Sequence, residues 1–189
     1  MTTPIPAIPF QDFSLITRAL KDASDRHEPQ RRKNAKASPY INHPITLFEI
    51  LVEIGKVTDA VVLAAALLHD TIEDTGATHA ELEAKFGAEV AEVVVEVTDD
   101  KSLPKAERKR LQIEHASHSS HRAKLVKLAD KISNLRDMIT DPPAHWPLER
   151  QQAYFDWAAA VLEGLRGTNK ALEKAYEDAL KQRPVSLAA

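Results

Sequence analysis

The stretch "LLHDTIEDTG" sets His69, Asp70, Glu73 and Asp74 close together, directly after the apolar run "VVLAAA". Read as one helix, His69 and Glu73 stand a turn apart, as do Asp70 and Asp74, so four polar groups crowd one edge. Three carboxylates this close repel one another. The repulsion falls when a divalent cation binds or when some of them are protonated. Imidazole with carboxylate suits Mn, Fe or Zn, and an all-oxygen set suits Mg or Ca. A helix C-terminus favours cations, so acids there run against a local rule, and broken local rules concentrate at functional sites. The plain alternative is a solvated helix end.

A metal needs ligands from elsewhere in the chain. In "KLVKLADKISNLRDM", Leu125, Leu128, Ala129, Ile132 and Leu135 form an apolar face, with Asp130 at its border and Asn134 one turn later. Taken alone, Asp130 reads first as an exposed acid paired with Lys127 or Lys131. His43, in "YINHPI", lies just before a helix start among apolar residues, where a packed or capping histidine is the commoner case. Together His43, His69, Asp70 and Asp130 would make a two-His, two-Asp site with positions open for water and substrate. A divalent cation there lowers the pKa of its water, and Glu73 and Asp74 could orient or deprotonate that water.

Anion-binding groups surround these candidates. Arg31, Arg32 and Lys33 form a basic run shortly before His43, and guanidinium both forks onto phosphate and stacks on rings. Solvated charge is the other reading. Lys101, Lys105 and Arg108 are further cations. "WPLERQQAYFDW" places Arg150 and Tyr154 one turn apart as a wall for a nucleotide, with Trp157 assigned to the core.

The elements that must position these groups are helical throughout. The spacing predicts a first helix from about Phe13, through Ile16, Ala19, Leu20 and Ala23. The polar segment "EPQRRKNAKASP", bounded by prolines, reads as a loop. Pro44 opens the next helix, with Ile45, Phe48, Leu51 and Val52 on one face. Asp59 and Thr58 are candidate caps for a helix from about Ala60 to Asp74, whose middle is apolar all round and so buried. Further helices are expected at about 78–86, 88–98, 105–117, 121–139, 147–166 and 168–181. "VAEVVVEV" is β-branched, but Val90, Val93, Val94 and Val97 share one helical face. The result is an all-α chain of about nine or ten helices with no significant sheet. Residues 1–11, with "PIPAIP", form an extended arm, residues 12–182 one domain, and residues 183–189 a frayed tail.

Bulk properties narrow the classes. The 189 residues suit one domain, and 43% hydrophobic with 28% charged residues is ordinary for a soluble protein. A formal charge of −3 gives no whole-molecule attraction to nucleic acid. There are no cysteines, hence no disulfides, thiolate metal sites or thiol nucleophiles. No apolar run approaches membrane-spanning length and the N-terminus lacks a signal-peptide pattern, so a cytoplasmic location with no membrane partner is expected. The oligomeric state is not readable.

His…His-Asp…Asp in an all-helical chain resembles the HD phosphohydrolase superfamily. "RRK…PYINHPI", "ALLHDTIEDT", "FGAEVAEVVVEVTDDKSLPKAERK" and "KLVKLADKISNLRDM" look like the hydrolase domain of the RelA/SpoT proteins, closest to its stand-alone small form, the metazoan SpoT homologue type. The resemblance covers about residues 12–182. It implies an all-α HD-domain bundle and Mn²⁺-dependent hydrolysis of the 3′-pyrophosphate of the alarmone (p)ppGpp, the nucleotide of the stringent response, to GDP or GTP and pyrophosphate. It implies His43, His69, Asp70 and Asp130 as metal ligands and Glu73 and Asp74 as the water-activating pair. Arg32, Lys33, Tyr40 and Asn134 match positions that hold the nucleotide. Arg150 and Tyr154 border the pocket in the small form, and Lys105 joins them as a substrate-binding candidate.

Two departures stand out. The segment between the Arg-Lys pair and "YINH" is longer than in the long bifunctional enzymes, and Asp137 stands where those enzymes usually carry Thr. Nothing after about residue 182 has room for a synthetase, so the chain is expected to degrade the alarmone and not make it. Two alternatives remain: removal of the 2′-phosphate of NADPH, or of another nucleotide phosphate, at the same site, and a helical module that binds a nucleotide without hydrolysing it.

Overall fold

The computed structural model describes residues 9–185. Its helices are α1 (Phe10–His27), α2 (Asn42–Glu49), α3 (Ala60–Leu68), α4 (Thr71–Thr75), α5 (His79–Phe86), α6 (Ala88–Val97), α7 (Lys105–Ala116), α8 (His121–Thr140), α9 (Leu148–Leu165) and α10 (Lys170–Leu180). A π-helical turn, Ile50–Ile54, continues α2. No strand occurs among the described residues; one isolated bridge pairs Arg31 with Pro39. No described helix is long and apolar enough to cross a membrane.

The all-helical reading holds, "VAEVVVEV" included: α6 buries Val90, Ala91, Val93 and Val94 on one face. Helix α1 starts at Phe10, inside the span expected to be an extended arm. The rest of that arm, residues 1–8, and residues 186–189 of the expected tail lie outside the described residues.

Helix α3 is the central element. Eight of its nine residues are buried, from Ala60 to Leu68 with only Val61 less covered, and it packs on α1, α2, α6 and α8. Asp59 caps it by accepting from the Val61 amide. Helix α8 is held in register by Leu128, Ile132 and Leu135, each 0% exposed. Each such side chain contributes roughly 1.5–3 kcal/mol of burial, so the polar residues between them have fixed directions.

The helix expected over 60–74 is two helices. Asp70 sits at φ −95°, ψ 0°, outside the helical well, and α4 starts at Thr71. Side chains take up carbonyls freed at the break: Thr71 Oγ1 donates to Leu68 O (2.7 Å) and His69 Nδ1–H donates to Ala66 O (2.8 Å). Glu73 and Asp74 therefore lie in the first turn of a new helix, where its dipole favours acids. The conflict with helix polarity seen in an unbroken 60–74 helix does not arise.

Candidate active site

Helices α2, α3, α4 and α8 converge on one buried point. His43, at the start of α2, presents Nε2 3.2 Å from Asp130 Oδ1 and 4.0 Å from Asp70 Oδ2. His69 Nε2 is 2.9 Å from Asp70 Oδ2. The two imidazole rings are 5.2 Å apart, edge to face. One ligand atom from each of His43, His69 and Asp130 lies within 4.8 Å of the others. These three donors could hold a divalent ion; Asp70 lies outside that group but borders it, with Oδ2 2.9 Å from His69 Nε2.

The ring nitrogens show the same preparation. Nδ1–H of His69 donates to the Ala66 carbonyl, which leaves Nε2 as the free position. That Nε2 is buried and has no hydrogen-bond partner, because Asp70 Oδ2, though near, lies off the hydrogen-bonding direction. His43 Nδ1 pairs with Ser133 Oγ at 3.1 Å, again leaving Nε2 toward the centre. A buried ring nitrogen with no hydrogen-bond partner beside two carboxylates fits a divalent cation.

The electrostatics agree. Burial disfavours the His69 cation, but the Asp70 and Asp130 charges outweigh it and push its pKa up to about 9. Burial opposes ionisation of Asp70 as well; the His69 charge overcomes this and holds the carboxyl well below its ordinary range. Asp130 is likewise held low against burial, chiefly by Lys131 and His43. His43 itself is lowered by burial and stays neutral. The centre attracts a cation onto His69 Nε2, be it a proton or a metal.

Tyr40 and Asn134 turn inward to these acids. The Tyr40 hydroxyl donates to Asp70 Oδ2, and Asn134 Nδ2 donates to Asp130 Oδ1 at 2.6 Å. Both were expected to hold nucleotide; here they orient candidate ligands. Glu73 is raised by burial and by the Asp70 charge. Its Oε2 accepts from the Asp99 amide (3.3 Å), and Oε1 is 3.7 Å from Arg108. Asp74 pairs with Lys101.

A cleft of about 580 Å³ opens beside the centre, with Arg32, Lys33, Tyr40, Asn134, Asp137 and Tyr154 among its lining residues. Arg32 NH2 bonds Asn134 Oδ1 (3.1 Å) and Asp137 Oδ2 (2.5 Å), and its guanidinium carbon is 5.7 Å from the Tyr40 ring centre. The long segment after Lys33 is a folded excursion: Arg32 N bonds Ser38 O, Tyr40 N bonds Gln30 O, and Ala144 N bonds Lys33 O. Lys105 lines a second cavity of about 170 Å³ behind the shared wall of Trp146 and Tyr154. Arg150 lines neither cavity and meets the wall from outside, 4.1 Å from the Trp146 ring centre.

Several participants escaped sequence reasoning. Lys131 does pair with Asp130, at 2.6 Å, but the pair is not the exposed one expected: Lys131 is 7% exposed and lies 5.0 Å from the Trp157 ring centre. Trp157 is half-buried against the core and also faces Lys109. Ser133, four residues before Asp137 on α8, had no chemical signature until His43 was placed beside it.

Residues 19–155 match a family model described as an HD domain. A guanosine-3′,5′-bis(diphosphate) 3′-pyrophosphohydrolase MESH1 from Homo sapiens is 56% identical over 172 residues, 91% of this chain and 96% of the relative. Its counterpart from Danio rerio is 52% identical over 174 residues, 92% of this chain and 97% of the relative. A solved structure described as a metazoan ortholog of SpoT that hydrolyses ppGpp matches with a TM-score of 0.87 at 47% identity, covering 97% of this chain and 98% of that one.

Proposed function

The chain belongs to the HD-domain family, and from that premise we propose that it is a guanosine-3′,5′-bis(diphosphate) 3′-pyrophosphohydrolase, converting ppGpp and water to GDP and pyrophosphate. The observation that carries this reading is the buried, partnerless His69 Nε2 among His43, Asp70 and Asp130, opening on a cleft with cationic and aromatic walls. The named relatives supply the substrate class.

In this reading His43, His69, Asp70 and Asp130 hold Mn²⁺. The bound ion supplies Lewis acidity and lowers the pKa of a water toward neutrality. The protein's own groups do the rest. Glu73, raised by burial and by Asp70, is matched to take the proton from the attacking water. The water oxygen bonds the phosphorus next to the ribose 3′ oxygen as the bond to that oxygen breaks. The 3′ oxygen takes the proton Glu73 collected, and pyrophosphate leaves intact. Arg32 and Lys33, which line the cleft, offset the charge on the transferring phosphates. Tyr154 and Trp146 give the base an aromatic wall, with ring centres 6.1 Å apart. Asp74, held by Lys101, orients the water with Glu73.

The test is incubation of the purified protein with ppGpp and Mn²⁺, and separately with NADPH and Mn²⁺, with products resolved by ion exchange. GDP and pyrophosphate in equal amounts are expected. Phosphate released from NADPH with ppGpp untouched would replace this substrate with the other. No turnover of either would leave a nucleotide-binding module.

A further inference from the structure

A buried histidine outside the ligand set reaches the same centre through two neighbours. His27 ends α1 and is 1% exposed. Its ring stacks on Tyr40, with centroids 4.7 Å apart and planes at 29°. Its Nδ1 lies 2.7 Å from Gln30 Oε1, while Gln30 Nε2 donates to the Asp74 carbonyl at 2.8 Å. The second bond fixes the amide: Oε1 faces His27, so Nδ1 carries the hydrogen. Nε2 is then a bare lone pair, buried and without a protein partner. A phenylalanine would avoid that cost and stack as well, and an asparagine would donate to Gln30 without a ring. His27 does both.

Each contact ends on the acidic segment. Tyr40 donates its hydroxyl to Asp70 Oδ2, and Gln30 ties down α4 at Asp74. Tyr40 lies in the turn before α2, with His27 stacked on its ring and the Arg32 guanidinium carbon 5.7 Å from its ring centre. The ring contacts continue inward, Tyr40 to His43 at 6.0 Å and His43 to His69 at 5.2 Å, so His27 closes the outer end of a four-ring column.

We infer that His27 is a positioning residue for the metal centre: by stacking on Tyr40 it holds the Tyr40 hydroxyl on Asp70 Oδ2, and so aims the other lone pairs of that carboxylate at the ion. The inference rests on the metal site proposed above. It assigns the effect on ion binding to the ring, and the Gln30 bond to the placement of α4.

Partners of this kind, one step removed from the ion, typically change metal affinity about 10–100-fold when lost. The test is Mn²⁺ titration followed by the free-ion EPR signal, with circular dichroism as the control for folding. His27→Asn keeps the donor and removes the ring; it is expected to weaken Mn²⁺ binding about tenfold. Its reduced turnover at limiting Mn²⁺ should recover in excess Mn²⁺, with KM for the nucleotide unchanged. His27→Phe keeps the ring and should bind Mn²⁺ nearly as the unmodified protein does. Tyr40→Phe deletes one oxygen and should weaken binding as His27→Asn does, and combining the two should add little. Normal Mn²⁺ affinity in folded His27→Asn or in Tyr40→Phe overturns the inference, as does a loss in His27→Phe equal to that in His27→Asn. Absence of Mn²⁺ binding by the unmodified protein overturns this inference together with the metal site, a result distinguishable from the first.

Discussion

Arg32 and Asp137, 105 residues apart in sequence, close on each other across the cleft with NH2 2.5 Å from Oδ2. The guanidinium also bonds Asn134, which in turn bonds Asp130, so one chain of contacts runs from the cleft mouth to the candidate metal centre. A phosphate that recruits Arg32 competes with the Asp137 carboxylate. Asp137 is half exposed, which limits the pair to about 1 kcal/mol, a factor of roughly five in binding. Asp137→Asn is expected to lower KM for ppGpp by up to that factor with little change in kcat, and Arg32→Ala to raise KM. Steady-state kinetics on both variants checks this; an unchanged KM in Asp137→Asn would show that the carboxylate does not compete.

Metal uptake should release a proton. Without an ion, His69 has its pKa raised to about 9 by Asp70 and Asp130 against the effect of burial, so at neutral pH it is protonated. A cation that binds Nε2 must displace that proton. Apparent Mn²⁺ affinity is therefore expected to rise about tenfold per pH unit toward pH 9 and then level off. The same raised pKa means that the His69 pair stabilises the ion-free fold fully below about pH 6.5, with that contribution lost as pH rises through 9. Calorimetric titration in buffers of different ionisation enthalpy measures the proton directly; an enthalpy independent of buffer at pH 7 would sink this expectation.

Lys131 and a bound ion neutralise the same carboxylate. Lys131 Nζ sits 2.6 Å from Asp130 Oδ2, both groups largely buried, and its pKa is raised because the Asp130 charge outweighs the burial penalty. Removing one member of a buried pair leaves the other charge uncompensated, at about 3–5 kcal/mol. Lys131→Met is expected to lose stability of that order without metal and distinctly less with Mn²⁺ present, because the ion takes over the charge. Urea unfolding with and without Mn²⁺ reads both values, and equal losses in the two conditions would argue against Asp130 as a ligand.

Glu73 and Asp74 share the first turn of α4 but differ in their surroundings. Glu73 is raised by burial and by Asp70, whereas Asp74 is neutralised by Lys101. Glu73→Gln is therefore expected to lower kcat about 10²–10⁴-fold, the usual worth of a general base, with Mn²⁺ binding retained. Asp74→Asn should cost less. Its reduction of kcat by as much as Glu73→Gln would move the proton transfer to Asp74.

The residues that meet at the buried centre, His43, His69 and Asp130 with Asp70 beside them, were legible because their signals are local. Acids crowd Asp70, apolar spacing frames Asp130, and His43 precedes a proline-opened helix. The contacts that aim those donors were not legible, because each joins distant segments: Arg32 to Asp137, His43 to Ser133, His27 to Tyr40. Burial of Lys131 was hidden as well, since a lysine beside an aspartate on a helix border reads as surface charge. The break in the 60–74 helix carries no glycine or proline and no change of apolar period. It is made by side chains capping carbonyls at a point the pattern alone treats as continuous.

That break depends on Thr71. It is 0% exposed, and its hydroxyl is a donor to the Leu68 carbonyl, which α3 leaves unpaired when the chain turns at Asp70. Valine has nearly the same shape without the donor. Thr71→Val buries a carbonyl with no partner, a cost of about 1–3 kcal/mol. For a chain of this length that corresponds to a fall in Tm of roughly 2–12 °C. The Asp70 backbone, freed from its capped turn, would also hold its carboxylate less firmly, so Mn²⁺ affinity should fall with stability. Thr71→Ser restores the hydroxyl and should recover much of both. Calorimetry and Mn²⁺ titration on the two variants decide it: if Thr71→Val matches Thr71→Ser in Tm and in affinity, the hydroxyl does not maintain the turn that presents His69 and Asp70.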